Sequence, residues 1–139
     1  MKAYDCIFFQ LAKASQAGSR FWGQSVAGLH LTAVQAMVIR FLYDGDEINS
    51  SDLGMRVSLD SATLTGVIDR LESADLVERR KNSKDRRAIQ LHLTEKGRAT
   101  GQKVARVMEK ANSEFMRSFS EGDEKELRRL LNKVRQRSL

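Results

Sequence analysis

Apolar residues recur every three or four positions at the start of the chain: Tyr4, Ile7, Phe8, Leu11, Ala14, Gly18, Phe21 and Trp22. That spacing predicts a helix with a single apolar stripe, which breaks near Ala27–Gly28. A second helix is predicted after Thr32, an N-cap residue, with Val34, Met37, Val38, Phe41 and Leu42 as its apolar positions. Asp44-Gly45-Asp46 ends it with turn chemistry. A short third helix begins at Asn49 or Ser50 and buries Leu53 and Val57. After Ser58-Leu59-Asp60, a fourth helix capped by Asp60 or Ser61 places Leu64, Val67, Ile68 and Leu71 on one face. Two short helices joined by a few residues form a helix-turn-helix pattern.

The period then changes. Leu76-Val77-Glu78-Arg79-Arg80 and Ala88-Ile89-Gln90-Leu91-His92-Leu93 read as strands, bridged by the polar Asn82-Ser83-Lys84-Asp85. In the second strand His92 alternates with Leu91 and Leu93 and is expected to face solvent or the far side of the hairpin. Thr94 can cap a long helix through Val104, Val107, Met108, Ala111, Phe115 and Phe119. Ser120 and Asp123 have the spacing of a capping box before a last helix striped by Leu127, Leu130, Leu131 and Val134. The expected fold is mainly α with a small β-hairpin wing. A winged helix-turn-helix lobe spans 31–94, and helices at 1–28 and 95–139 form a second lobe, all within one domain of 139 residues.

Charge sharpens the picture. Six basic residues (Arg79, Arg80, Lys81, Lys84, Arg86, Arg87) face two acids (Glu78, Asp85) between Glu78 and Arg87, which is net +4 of the chain's +6. Such a concentration at a predicted turn points to an anionic partner, with double-stranded DNA the first candidate. Hydrophobic content of 41% with 30% charged residues excludes a disordered chain. No apolar run approaches the ~18 residues of a membrane span, and no signal peptide is read at the start. A single cysteine, Cys6, forms no internal disulfide, so a cytoplasmic location is expected.

On the fourth helix, at 100° per residue, the side opposite Leu64, Val67, Ile68 and Leu71 carries Ala62, Gly66 and Asp69. Thr65 flanks it on one side, Thr63 and Arg70 on the other. Small residues let a helix approach a groove floor, and hydroxyls reach phosphates or base edges. The alternative is an ordinary solvated face. In the hairpin, Arg80, Lys81, Lys84, Arg86 and Arg87 supply cations for a narrow minor groove. Asp85 makes sense beside them if its carboxylate holds the Arg87 guanidinium in a fixed geometry. Here the alternative is a merely solvated basic hairpin.

The run Asp85-Arg86-Arg87-Ala88-Ile89-Gln90-Leu91-His92-Leu93-Thr94, continued by Glu95-Lys96-Gly97, resembles the wing signature of the MarR family of bacterial transcription regulators. Leu31-Thr32, Asp52-Leu53-Gly54, Thr63-Leu64-Thr65, Asp69-Arg70-Leu71-Glu72 and Leu76-Val77-Glu78-Arg79 are similar to that family too, so the likeness covers nearly the whole chain. It implies an obligate homodimer joined by the first helix and the last two. It also implies two winged helices reading a palindromic operator, released by a small effector. By position it implies that Arg87 enters the minor groove with Asp85 as its partner, and that Ser61, Thr63, Thr65 and Arg70 make recognition-helix contacts. The apolar stripes at the two chain ends support the dimer independently, because they exceed what a small DNA-reading core needs.

Phe21, Trp22, His30, Gln35 and Met37 could border the inter-lobe cavity where family members bind small aromatic or anionic effectors; plain core packing is the alternative. Some relatives that sense organic hydroperoxides carry a reactive cysteine near the position of Cys6, but the tyrosines that assist it there are missing between Leu31 and Ala36. A small packing residue is the favoured role for Cys6. The two histidines and one cysteine give no metal spacing, and no cofactor or catalytic set stands out. An enzyme is therefore not expected. Besides a ligand-responsive repressor, a peroxide sensor acting through Cys6 and a winged-helix protein-interaction module stay open.

Overall fold

A computed structural model describes residues 1–138. Helix α1 (Ile7–Val26) and α2 (Ala33–Asp44) are followed by a two-residue strand β1 (Ile48–Asn49), α3 (Ser50–Val57) and α4 (Ser61–Ser73). The hairpin β2 (Val77–Lys81) and β3 (Ile89–Leu93) leads to α5 (Glu95–Phe115) and α6 (Glu121–Arg135). Each helix from α2 on begins at a side-chain cap. Thr32 accepts from the Gln35 amide while the Gln35 side chain returns the bond, completing a capping box. Asn49, Asp60, Thr94 and Ser120 accept from Asp52, Thr63, Gly97 and Asp123 in the same way. With no proline in the chain, these caps set where the helices start.

The winged lobe closes around Ile39, Leu42, Leu53, Leu64, Ile68, Leu71, Val77 and Leu91, all buried. The stripe of α2 is rotated from the sequence expectation. Ala36, Val38, Ile39 and Leu42 are buried, whereas Val34 is 40% exposed, because α1, α3 and α5 all pack on this central helix. The sheet has the order β1-β3-β2 and is antiparallel, with Ile48 opposite Leu91 and Val77 opposite Leu93. A third strand was not expected from the sequence. It makes β3 the central strand. His92 lies opposite Glu78, on the other face of the hairpin from Leu91 and Leu93, and is buried at 7% exposure rather than facing solvent.

The junction of α4, β2 and α5 is tight. The Thr94 hydroxyl donates to the Asp75 carbonyl at 2.6 Å and accepts from the Gly97 amide at 2.9 Å. Lys96 Nζ reaches the Ala74 carbonyl at 3.0 Å. Farther along, α5 packs on α1 through Phe21 and Phe115, whose rings meet edge to face at 5.1 Å. Helix α6 does not join this body. It packs mainly with the short turn that follows it, and Leu130, Leu131 and Val134 stay 43–45% exposed, as do Phe119 and, slightly less, Phe115.

Candidate nucleic-acid interface

Burial of Leu64, Val67, Ile68 and Leu71 turns the other side of α4 outward, and Ser61, Ala62, Thr63, Thr65, Gly66, Asp69 and Arg70 are all exposed. A Cβ added to Gly66 would meet nothing within 4 Å, so the surface there is flat. The two threonine hydroxyls are already committed as donors. Thr63 donates to Asp60 Oδ2 at 2.9 Å and Thr65 to the Ser61 carbonyl at 2.8 Å. Both therefore present lone pairs outward and can accept from the amino groups of adenine or cytosine. The Thr63 amide and hydroxyl bonds hold the Asp60 carboxyl below its ordinary range, which keeps the cap ionised.

The wing is divided more finely than its charge count suggests. Arg79 turns back onto α4, with Nη2 at 2.7 Å from Asp69 and Nη1 at 2.8 Å from Glu72. The bond from Asp69 pushes Arg79 further toward its charged form, against the cost of partial burial. Arg80 pairs with Glu78 on its own strand. Lys81, Lys84, Arg86 and Arg87 are exposed and take part in none of the ion pairs formed among the described residues. They form the cationic tip.

Asp85 does not hold the Arg87 guanidinium. Its Oδ1 accepts from the Arg87 backbone amide at 3.0 Å, and its carbonyl accepts from the Ala88 amide at 3.0 Å. The expectation assumed an extended strand, where residues two apart point the same way. Here Asp85 to Ala88 forms a turn, and β3 begins only at Ile89. Asn82 acts similarly, accepting from the Lys84 amide at 2.9 Å. Two Asx bonds thus shape the tip and aim its cations.

Of the residues expected at an effector cavity, the structure brings Phe21, Trp22 and Met37 together. They line a cleft of about 180 Å³ with Met108, Asn112 and Phe115, and a second of about 180 Å³ lies on the other side of Trp22 and Met37. Trp22 Nε1 donates to the Ala33 carbonyl at 3.0 Å, fixing the ring between α1 and α2. His30 and Gln35 line neither cleft. His30 ends a 3₁₀ turn in a left-handed conformation, and Gln35 is consumed by the capping box. Cys6 is the N-cap of α1, half-buried and without a side-chain capping bond. Among the described residues no cluster of His, Cys, Asp or Glu could hold a metal, and no single helix is long and apolar enough to cross a membrane.

The MarR family model matches residues 31–89, the winged lobe itself. MgrA of Staphylococcus aureus, an HTH-type transcriptional regulator, is 30% identical over 91% of this chain and 85% of its own length. The chain belongs to the MarR family. A probable transcriptional regulator from Pseudomonas aeruginosa superposes with a TM-score of 0.89 at 26% identity, covering 96% of this chain and 99% of that one. BpsR of Bordetella bronchiseptica, whose DNA binding is described as regulated by 6-hydroxynicotinic acid, gives 0.89 at 25% identity over 96% of each chain. As a MarR-family member, the protein is a DNA-binding transcription regulator with a winged-helix fold, and its relatives are regulators rather than enzymes. Sequence reasoning missed the part played by Arg79 and Glu72. Their seven-residue separation matches no local motif, and only the packing of β2 on α4 brings them together.

Proposed function

We propose that the protein is a homodimeric repressor that grips a palindromic operator and lets go when a small aromatic or anionic molecule enters the inter-lobe cleft. In this account α4 lies in the major groove, with Ser61, Thr63, Thr65 and Arg70 reading it and Ala62 and Gly66 permitting close approach. Lys81, Lys84, Arg86 and Arg87 reach the flanking minor groove, with Arg80 at its edge. The supporting observation is α6. Its polar side is laced by Glu124–Arg128 and Glu121–Lys125 pairs at 2.7 Å, while Leu130, Leu131 and Val134 stand open, the helix packing mainly with the short turn that follows it. A second copy would cover them and set two α4 helices side by side. The effector class is supported by the aromatic lining of Phe21 and Trp22, and by the aromatic acid described for BpsR.

Selection of bound sequences from random duplex DNA, with sedimentation of the free protein, tests this directly. Enrichment of a palindrome with half-sites about 10 bp apart, and a dimer in solution, are expected. Affinity for the enriched duplex should fall with salt at a log–log slope of about −5 or steeper. A monomer enriching one short asymmetric site would end the proposal.

A further inference from the structure

We infer that Arg79 is a positioning residue that locks the wing to the recognition helix and holds the acidic flank of that helix away from DNA. The inference rests on the DNA-binding account above and adds the device that fixes its two reading elements together. Arg79 pairs with Leu91 across the hairpin, and opposed residues of an antiparallel pair share a face. Leu91 is buried, so Arg79 is directed inward toward α4, whereas its neighbours Glu78 and Arg80 point the other way. Its side chain is 29% exposed against 57% for Arg80. Each terminal nitrogen takes a different carboxylate of α4, Asp69 at 2.7 Å and Glu72 at 2.8 Å. A rigid planar fork can bind two carboxylates one helical turn apart and so fix the angle between strand and helix, where a single ammonium cannot.

The electrostatic consequence is as specific as the geometric one. Asp69 lies on the side of α4 that carries Ala62 and Gly66, the side proposed to enter the groove. An unpaired carboxylate there would repel phosphate. Held by Arg79, it is neutralised and drawn toward β2. Two of the five Arg79 N–H donors are engaged by carboxylates of α4, which turns the guanidinium toward the helix. Arg79 therefore serves specificity through Asp69 and Glu72 rather than through the DNA backbone.

The test compares wild type, R79A, R79K, D69N/E72Q, the combined R79A/D69N/E72Q and R80A. Each is titrated with the duplex that wild type enriches from a random pool, and with a scrambled duplex of equal length. R79A is expected to lose about tenfold in affinity for the enriched duplex, within the range shown by directly coupled side chains, and distinctly less for the scrambled duplex, where only repulsion from the freed carboxylates acts. R79K should recover only part of the loss. Removing Arg79 from the D69N/E72Q background should cost less than removing it from wild type. Circular dichroism checks folding, and if R79A does not fold, R79K and D69N/E72Q make the same comparison. Equal loss on both duplexes with a slope change of about one would identify Arg79 as a phosphate contact and overturn the inference. Fully additive losses would overturn it too. A wild type that enriches no duplex would defeat the DNA account itself, which is a different result from a wild type that binds well while its variants lose affinity evenly.

Discussion

A Cβ placed on Gly97 would lie 1.9 Å from the carbonyl oxygen of Leu76. No rotamer change relieves a clash with backbone, so α5 can cross the start of β2 this closely only because residue 97 is glycine. Replacing a helical glycine by alanine ordinarily stabilises by about 1 kcal/mol. Here the sign is expected to reverse. Gly97→Ala should destabilise by roughly 1–3 kcal/mol, as overpacking does, read as a lower urea midpoint at unchanged m-value. A midpoint equal to or above wild type would mean that α5 can slide away from β2.

Gly66 is the opposite case. It lies in the exposed middle of α4, and an added methyl meets nothing within 4 Å. Gly66→Ala is expected to raise stability by about 1 kcal/mol through helix propensity. The same methyl would stand on the surface proposed to approach the groove floor, so operator affinity should fall while stability rises. Paired urea melts and duplex titrations separate the two effects, and a variant more stable with unchanged affinity would remove Gly66 from the interface.

The helices and their caps were legible in the sequence because capping is local. Thr32 with Gln35, and Asp60 with Thr63, sit three residues apart on the page as they do in space. What was not legible depends on residues distant in sequence. Ile48 and Asn49 are too few to show a strand period. Alternation with Leu91 and Leu93 tells which face His92 takes but not whether that face is covered, and it is buried. The wing was recognised by its charge, yet charge counting cannot tell Arg79, which faces α4, from Arg87, which faces outward. The outward face of α4 was legible because a buried stripe fixes its opposite side. In the cleft, Gln35 was misplaced because its side chain was already spent on Thr32.

Acid should probe the cap of α4. Bonds from the Thr63 amide and hydroxyl depress the Asp60 pKa in the folded protein. A depressed carboxylate contributes stability above its unfolded pKa and loses it as pH falls through the folded value. Asp60's share is therefore present at neutral pH and lost only below the ordinary aspartate range, under about pH 4. Asp60→Asn keeps a capping oxygen but cannot titrate. Its stability should fall less than that of wild type between pH 5 and 3, in buffers at about those values. Identical pH profiles for the two proteins would show that the cap does not respond to acid.

The wing tip separates charge from shape. If Asp85 acted through its charge, removing it would strengthen binding to a polyanion. If it acts as the acceptor that shapes the turn, removing it should weaken binding, because Arg87 would no longer be presented in one conformation and ordering it would cost more on binding. The structure has Oδ1 of Asp85 on the Arg87 amide, a bond that an asparagine can also make. Asp85→Ala is therefore expected to weaken operator binding, whereas Asp85→Asn should match or exceed wild type, since it keeps the acceptor and drops the charge. Arg87→Ala should cost on the order of 1–3 kcal/mol with relaxed specificity, and Lys84→Ala should weaken all duplexes alike while shifting the salt slope by about one. Titrating operator and scrambled duplex with the four variants decides among these. Tighter operator binding by Asp85→Ala would falsify the shaping role, and a loss in Asp85→Asn equal to that in Asp85→Ala would return the carboxylate's charge to the account.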